Sequence, residues 1–145
     1  MNLRSAETSD LETTYKIKCN ALKPYIERIW DWSELRQREI HRANFFASKT
    51  KIIEHKKQEI GYIVLKETKT EISIENLLIV PRFQNLGIGK EVMKQIIKKA
   101  NAEKKTVQLQ VFKINTKAQR FYENLGFKKT YENKNHIGMK KDWFL

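Results

Sequence analysis

The hydrophobic positions of this chain follow two alternating periods. After a short strand-like opening, Asn2-Leu3-Arg4, the apolar residues Leu11, Tyr15, Cys19 and Leu22 recur at the spacing of one helix face. Ser9 with Glu12 three residues later forms a capping-box pattern, so a helix is expected from about Asp10 to Leu22. Pro24 is expected to break it. Asp31 with Glu34 repeats the capping pattern and predicts a second helix to about Phe46, with Leu35, Ile40, Phe45 and Phe46 inward. The period then shortens. Residues 51–55, 60–65 and 71–80 are rich in β-branched and aromatic side chains, and polar turns separate them. They predict three strands close enough for an antiparallel meander, ended by Pro81.

The helical period returns after a glycine-bearing loop. Ile88, Val92, Met93, Ile96, Ile97 and Ala100 share one helix face. Residues 106–111 alternate cleanly, as a half-buried strand should. Thr116 with Gln119 is a third capping pattern and opens a short helix that Gly126 closes. Residues 127–132 and 136–142 form a closing hairpin pattern around Asn133-Lys134-Asn135. The element order is β-α-α-β-β-β-α-β-α-β-β. It predicts an α/β (α+β) fold in which helices flank a mixed, mostly antiparallel central sheet. At 145 residues, the chain is expected to form one domain, 1–145, with a real core.

The loop itself, Gln84-Asn85-Leu86-Gly87-Ile88-Gly89, joins a strand to a helix. A helix N-terminus offers unpaired N–H groups and a positive dipole end, which suit a phosphorylated ligand. The missing side chains at Gly87 and Gly89 would let that ligand meet the backbone. It is not a Walker loop, since Gly89-Lys90-Glu91 lacks the hydroxyl residue, nor a dinucleotide fingerprint, since the third glycine is absent. Downstream comes Asn115-Thr116-Lys117-Ala118-Gln119-Arg120-Phe121-Tyr122, followed by Gly126-Phe127. Taken together, Gln84, Gly87 and Gly89 with Asn115, Ala118, Phe121, Tyr122, Gly126 and Phe127 resemble the two motifs of the GNAT N-acetyltransferase family, in the family's order and separation.

That resemblance implies acetyl-CoA as cofactor and transfer of its acetyl group to a primary amine by direct attack in a ternary complex. It implies that the pantetheine arm lies in a wedge between strand 71–80 and strand 106–111, bonded by backbone groups of Leu78, Ile79 and Val80. The pyrophosphate would sit on Asn85, Leu86, Gly87, Ile88, Gly89 and Lys90, flanked by Arg82 and Gln84. Lys90 or Lys117 would meet the 3′-phosphate. Asn115 and Ala118 would border the arm, although Asn115 also suits a helix cap. Tyr122 would protonate the departing sulfur, a sensible task for a phenol, though an aromatic at this place also suits packing.

Glu75 is the candidate general base. Strand alternation sets it on a face with Ser73, Leu77 and Ile79, and apolar company would suit a base. A solvent-facing glutamate fits the pattern equally. In the family the first two helices and their loop shape the acceptor pocket, which here points to Tyr25, Trp30 and Trp32, as pocket walls or as pins between the helices. His41 is expected on a helix surface.

Composition trims the alternatives. Net charge is +12, from 29 Lys and Arg against 17 Asp and Glu. The lysines are spread in pairs along the chain, so a specific nucleic-acid partner is not expected, and a solvated surface accounts for them. One cysteine excludes an internal disulfide, and the scattered histidines predict no metal site. No apolar run is long enough to span a bilayer, so no membrane partner is expected, and a cytoplasmic protein is the simplest expectation. Exposed strand edges near the C-terminus would suit a homodimer. The competing functions are a non-catalytic acyl-CoA-binding module and a basic nucleic-acid-binding protein.

Overall fold

A computed structural model of the chain describes residues 1–26 and 32–143. The elements run β1 (Asn2–Ser5), α1 (Asp10–Ile26), α2 (Glu34–Asn44), β2 (Thr50–His55), β3 (Gln58–Glu67), β4 (Glu71–Ile79), α3 (Ile88–Ala102), β5 (Thr106–Phe112), α4 (Thr116–Asn124), β6 (Lys128–Glu132) and β7 (His136–Lys141). This is the order expected from the sequence, with single 3-10 turns added at Ala47–Lys49 and Pro81–Phe83. The strands hydrogen-bond in the order β1-β2-β3-β4-β5-β7-β6. β1 with β2, β2 with β3, β5 with β7 and β6 with β7 are antiparallel. β4 and β5 are parallel, and α3 supplies the crossover that a parallel pair requires. The sheet is therefore mixed and mostly antiparallel. Two compact units are distinguishable: Met1–Val64 with Asn76–Gly89, and Leu65–Glu75 with Lys90–Leu145.

In the first unit, Ile52, Ile53, Ile60 and Ile63 are fully buried along β2 and β3. The turn between these strands is Lys56-Lys57, both at positive φ, the geometry that matches strand twist in a two-residue hairpin. Arg4 on β1 clamps the start of α1: its guanidinium donates to both Asp10 oxygens at 2.8 and 2.9 Å and also pairs with Glu54 and Glu59. Asp10 in turn accepts the Glu7 N–H at 2.8 Å.

The helices of this unit depart from the sequence expectation in three ways. α1 runs past Leu22 to Ile26 with Pro24 inside its last turn. A proline there removes one hydrogen bond and crowds the carbonyl four residues back, a disturbance confined to the last turns, and the helix ends two residues later. α2 begins at Glu34, capped by Ser33, whose Oγ accepts the Arg36 N–H at 3.3 Å. Asp31 lies outside the described residues. Of the residues expected inward on α2, Leu35 is 71 % exposed, and Ile40 and Phe46 are exposed too. The buried residue is His41, expected on the surface. It meets α1 through a polar contact, His41 Nε2 to Thr14 Oγ1 at 2.8 Å. The Thr14 hydroxyl also lies 2.8 Å from the Asp10 carbonyl and 3.0 Å from the Leu11 carbonyl, so it is tied to the backbone of α1 as well as to the histidine.

The second unit has an apolar core. Val92, Met93, Ile96 and Ala100 of α3 are buried, as are Ile72, Val107, Phe127 and Met139. The β4–β5 ladder runs from Glu71↔Thr106 to Ile74↔Leu109. β6 is exposed along its whole length. Among the described residues no helix is long and apolar enough to cross a membrane.

Candidate active site

The glycine loop is a sharp turn in the first unit. The chain leaves β4 through Val80, which donates its N–H to Ile60 O at 2.9 Å and accepts the Phe83 N–H at 3.0 Å. Both backbone groups of Val80 are thus engaged within the unit, which leaves only a second carbonyl lone pair for a ligand. β3 comes in close here because residue 61 is glycine: a Cβ on Gly61 would stand 2.3 Å from Leu78 O and 3.2 Å from Ile79 Cα. Gln84 folds back and donates its side-chain amide to Ile79 O at 2.8 Å. Arg82 lies over the Phe83 ring at 5.1 Å and reaches Gln58 at 3.4 Å. Asn85 (φ 61) and Gly87 (φ 82) then reverse the chain into Ile88, the first residue of α3. A Cβ on Gly87 would meet nothing within 4 Å, so the turn faces open space. An exposed turn with two residues in the left-handed region, leading straight into a helix N-terminus, fits a phosphate group. No carboxylate lies between Val80 and Lys90 to oppose one.

In the second unit, α4 positions Asn115 and Tyr122. Asn115, not Thr116, is the N-cap: its Oδ1 accepts the Ala118 N–H at 3.0 Å. The cap is one residue earlier because Gln119 is engaged elsewhere, donating to Lys113 O at 2.8 Å. Asn115 keeps its two amide protons for another acceptor. Tyr122 is half-buried, and its ring meets Phe121 and Phe127 edge-on at 5.0 and 5.6 Å. Burial pushes its phenol up to about 12. Tyr122 therefore holds its proton throughout the physiological range. Lys117 is exposed and Ala118 half-buried.

Glu75 stands in an open cleft of about 350 Å³ in the same unit, with Ser73, Gln108, Gln110 and Tyr131 among its lining. The carboxylate is exposed and its cleft neighbours are mainly polar. Leu77 and Ile79, the apolar company expected from the strand pattern, do not line this cleft, where β5 presents Gln108 opposite Ser73 and the apolar lining is Ile74 and Leu109. Gln108 donates to Ser73 Oγ at 2.7 Å, and Gln110 donates to the Tyr131 hydroxyl. Tyr131 lies flat across Gly138: an added Cβ there would fall 2.0 Å from Cε1 of the ring. Tyr131, Gln108 and Gln110 were not singled out from the sequence. The alternation of residues 106–111 carries the signal for the two glutamines, which share a face. The register of the closing hairpin, which aims Tyr131 across Gly138, has no sequence signal of its own.

Of the residues proposed for the acceptor, Trp32 is half-buried just before α2. Trp30 and the side chain of Tyr25 lie outside the described residues.

A model of the acetyltransferase (GNAT) family matches residues 8–127, and the chain belongs to that family, whose acetyl donor is acetyl-CoA. Among curated protein sequences none matches. Solved structures share the fold at low identity. An N-acetyltransferase of Thermoplasma acidophilum in complex with coenzyme A is 20% identical with a TM-score of 0.78, over 97% of this chain and 98% of that one. The ribosomal-protein-S18-alanine N-acetyltransferase of Escherichia coli is 19% identical with a TM-score of 0.76, over 97% and 92%. Chaetomium thermophilum Naa20 in complex with a bisubstrate analogue is 20% identical with a TM-score of 0.68, over 98% and 86%.

Proposed function

We propose that this protein is an acetyl-CoA-dependent N-acetyltransferase that acts by direct attack of a primary amine on the thioester. The observation that carries it is the open, left-handed turn at Asn85 and Gly87 leading into α3. Family membership supports the same cofactor. The bound cofactor supplies an activated acetyl carbonyl and a thiolate leaving group. The amides from Asn85 to Lys90 hold its diphosphate, with Arg82 and Gln84 beside them. Leu78, Ile79 and the remaining carbonyl lone pair of Val80 align the pantetheine arm, and Asn115 spends its free amide protons there too. Lys90 or Lys117 meets the 3′-phosphate.

In the reaction an N–C bond forms and the C–S bond breaks; a cationic amine gives up one proton to become nucleophilic and a second as the amide forms, and of these two one is released and one replaces the acetyl group on sulfur. Glu75, or a water it orders, takes the first. Its exposed, polar cleft suits a positively charged amine that must approach and be deprotonated. Tyr122 serves the sulfur. With its phenol near 12 and a thiol near 8.5, full proton transfer would be uphill by about 5 kcal/mol at the outset. Tyr122 therefore begins as a hydrogen-bond donor to the developing thiolate, and transfer follows as the dry site raises the basicity of the sulfur. No cysteine is part of either motif, so a covalent acetyl-enzyme has no nucleophile there.

The test is calorimetric titration with acetyl-CoA, followed by thiol release with a panel of amines. One-site binding that Gly87→Val abolishes, with the melting curve retained, supports the turn as the cofactor site. Normal binding by that variant removes it. Tyr122→Phe should lower kcat by about 10²-fold or more with little change in acetyl-CoA affinity. Unchanged turnover would strip Tyr122 of its role, and cofactor binding without turnover for any amine would leave a non-catalytic module.

A further inference from the structure

The strand period that puts Ser73 and Glu75 on one face of β4 also puts Gln108 and Gln110 on one face of β5, about 7 Å apart along the strand. The ladder sets Ser73 beside Gln108, and the hairpin brings Tyr131 across Gly138 to Gln110. The cleft of the second unit therefore holds two dyads, each a hydroxyl with a side-chain amide. In one, Gln108 Nε2 donates to Ser73 Oγ at 2.7 Å; in the other, Gln110 Nε2 donates to the Tyr131 hydroxyl. Each dyad keeps a hydroxyl proton and an amide carbonyl for another partner. Turning an amide over would exchange these roles and again leave one donor and one acceptor. Glu75 is the one charged residue lining the cleft. Glu71, two residues before Ser73, is taken by Lys140 at 3.6 Å, and neither of them lines it.

Resting on the reading of Glu75 as the group that receives the amine, we propose that the acceptor is a singly charged, polyhydroxylated amine of the amino-sugar type. Its ammonium meets Glu75 and its hydroxyls meet the two dyads. A dyad holds its spare donor and its spare acceptor side by side, within reach of one ligand atom. A hydroxyl oxygen both donates and accepts, so it can satisfy the two together. A peptide group cannot, because a trans amide points its N–H and C=O in opposite directions. A polyamine brings several charges to a cleft lined by one carboxylate. A free amino acid brings its own carboxylate towards Glu75, and no cation is among the lining residues. A plain alkyl amine would strip water from both dyads and return no hydrogen bond. Tyr131 adds an aromatic surface, 44 % exposed as a residue, on which the C–H face of a sugar ring can lie. The cleft's volume of about 350 Å³ is on the scale of small-molecule sites.

The experiment measures kcat/KM of the full chain by thiol release at saturating acetyl-CoA. The acceptors are glucosamine, cyclohexylamine, spermidine, serine and seryl-alanine amide. Glucosamine is expected to lead the panel. The decisive variant is Ser73→Ala/Gln108→Leu, with acetyl-CoA affinity and the melting curve followed as checks on folding. It should narrow the preference for glucosamine over cyclohexylamine by about tenfold, through the KM of the sugar. That ratio cancels the different basicities of the two amines. If the double variant does not fold, Ser73→Ala alone is read in the same way, with a narrowing of about threefold expected. An equal loss for both amines would give Ser73 and Gln108 a structural role only and overturn the proposal. A lead for spermidine, serine or seryl-alanine amide would also overturn it, while the acetyltransferase reading stands. Acetyl-CoA binding with no amine acetylated would bring down that reading and this proposal together.

Discussion

α2 and α3 are both short amphipathic helices, yet they are held by different physics. α3 buries Val92, Met93, Ile96 and Ala100, and nothing charged is among them. α2 buries His41 and leaves Leu35, Ile40 and Phe46 in solvent. Its links to α1 are polar: His41 to Thr14, a forked Arg38–Glu12 pair at 2.7 and 3.2 Å, and the Arg38 guanidinium 4.3 Å over the Tyr15 ring. Apolar burial is indifferent to pH and modest salt, whereas these contacts are not. One helix is an element of the core and the other is a polar flap on α1. Four measurements would break or sharpen that contrast.

The largest effect is expected at Met93, fully buried on α3. Met93→Ala should cost about 2–5 kcal/mol in a denaturant melt, and the loss should not change between pH 5 and 8. A cost below about 1 kcal/mol would mean that α3 is not the core element it looks. Next comes Asp10, buried under Arg4, whose guanidinium holds the carboxyl down to about 2 from an ordinary value of 3.8. A depressed carboxyl stabilises the fold above its unfolded value and loses that contribution as pH falls through the folded one. About 2 kcal/mol should therefore disappear between pH 4 and pH 2, and Asp10→Asn should flatten that part of the stability curve.

His41 should give a smaller effect. Burial holds its imidazole below the ordinary value of 6.5, so the neutral form belongs to the folded state. Its contribution is complete above pH 6.5 and fades as pH drops below that. Amide exchange in α2 should quicken on acidification from pH 7 to 5 while exchange in α3, corrected for the intrinsic rate, stays level. Lys18 is the repelling charge that adds to the shift, and Glu12 opposes it. The smallest effect is expected at Leu35, where Leu35→Ser should change stability by no more than about 0.5 kcal/mol. A cost of several kcal/mol would restore it to the core.

The same contrast explains what was legible in the sequence. α3 was legible because a helix packed on an apolar core repeats its hydrophobic residues at the helical period. The strands were legible for the matching reason, down to the order of elements. α2 was legible as a helix but its buried face was not, because a polar contact such as His41–Thr14 leaves no hydrophobic trace, and the pattern pointed at Leu35 and Ile40 instead. The glycine turn and the α4 motif could be named from residue types, since a left-handed φ at Gly87 and a helix cap at Asn115 are local demands. The surroundings of Glu75 could not. They depend on which residue of β5 stands opposite Ser73 and on how the β6–β7 hairpin brings Tyr131 across Gly138, and both are matters of register between distant strands.

Gly138 has a consequence for how such an enzyme can change. Any side chain there would evict the Tyr131 ring from its seat and break its bond to Gln110. The cleft beside Glu75 would then widen without a single alteration among its lining residues. A side chain at 138 and the Tyr131 ring cannot occupy the same space, so a larger residue at 138 goes with a displaced or smaller residue at 131, and the two positions are heritable as one trait.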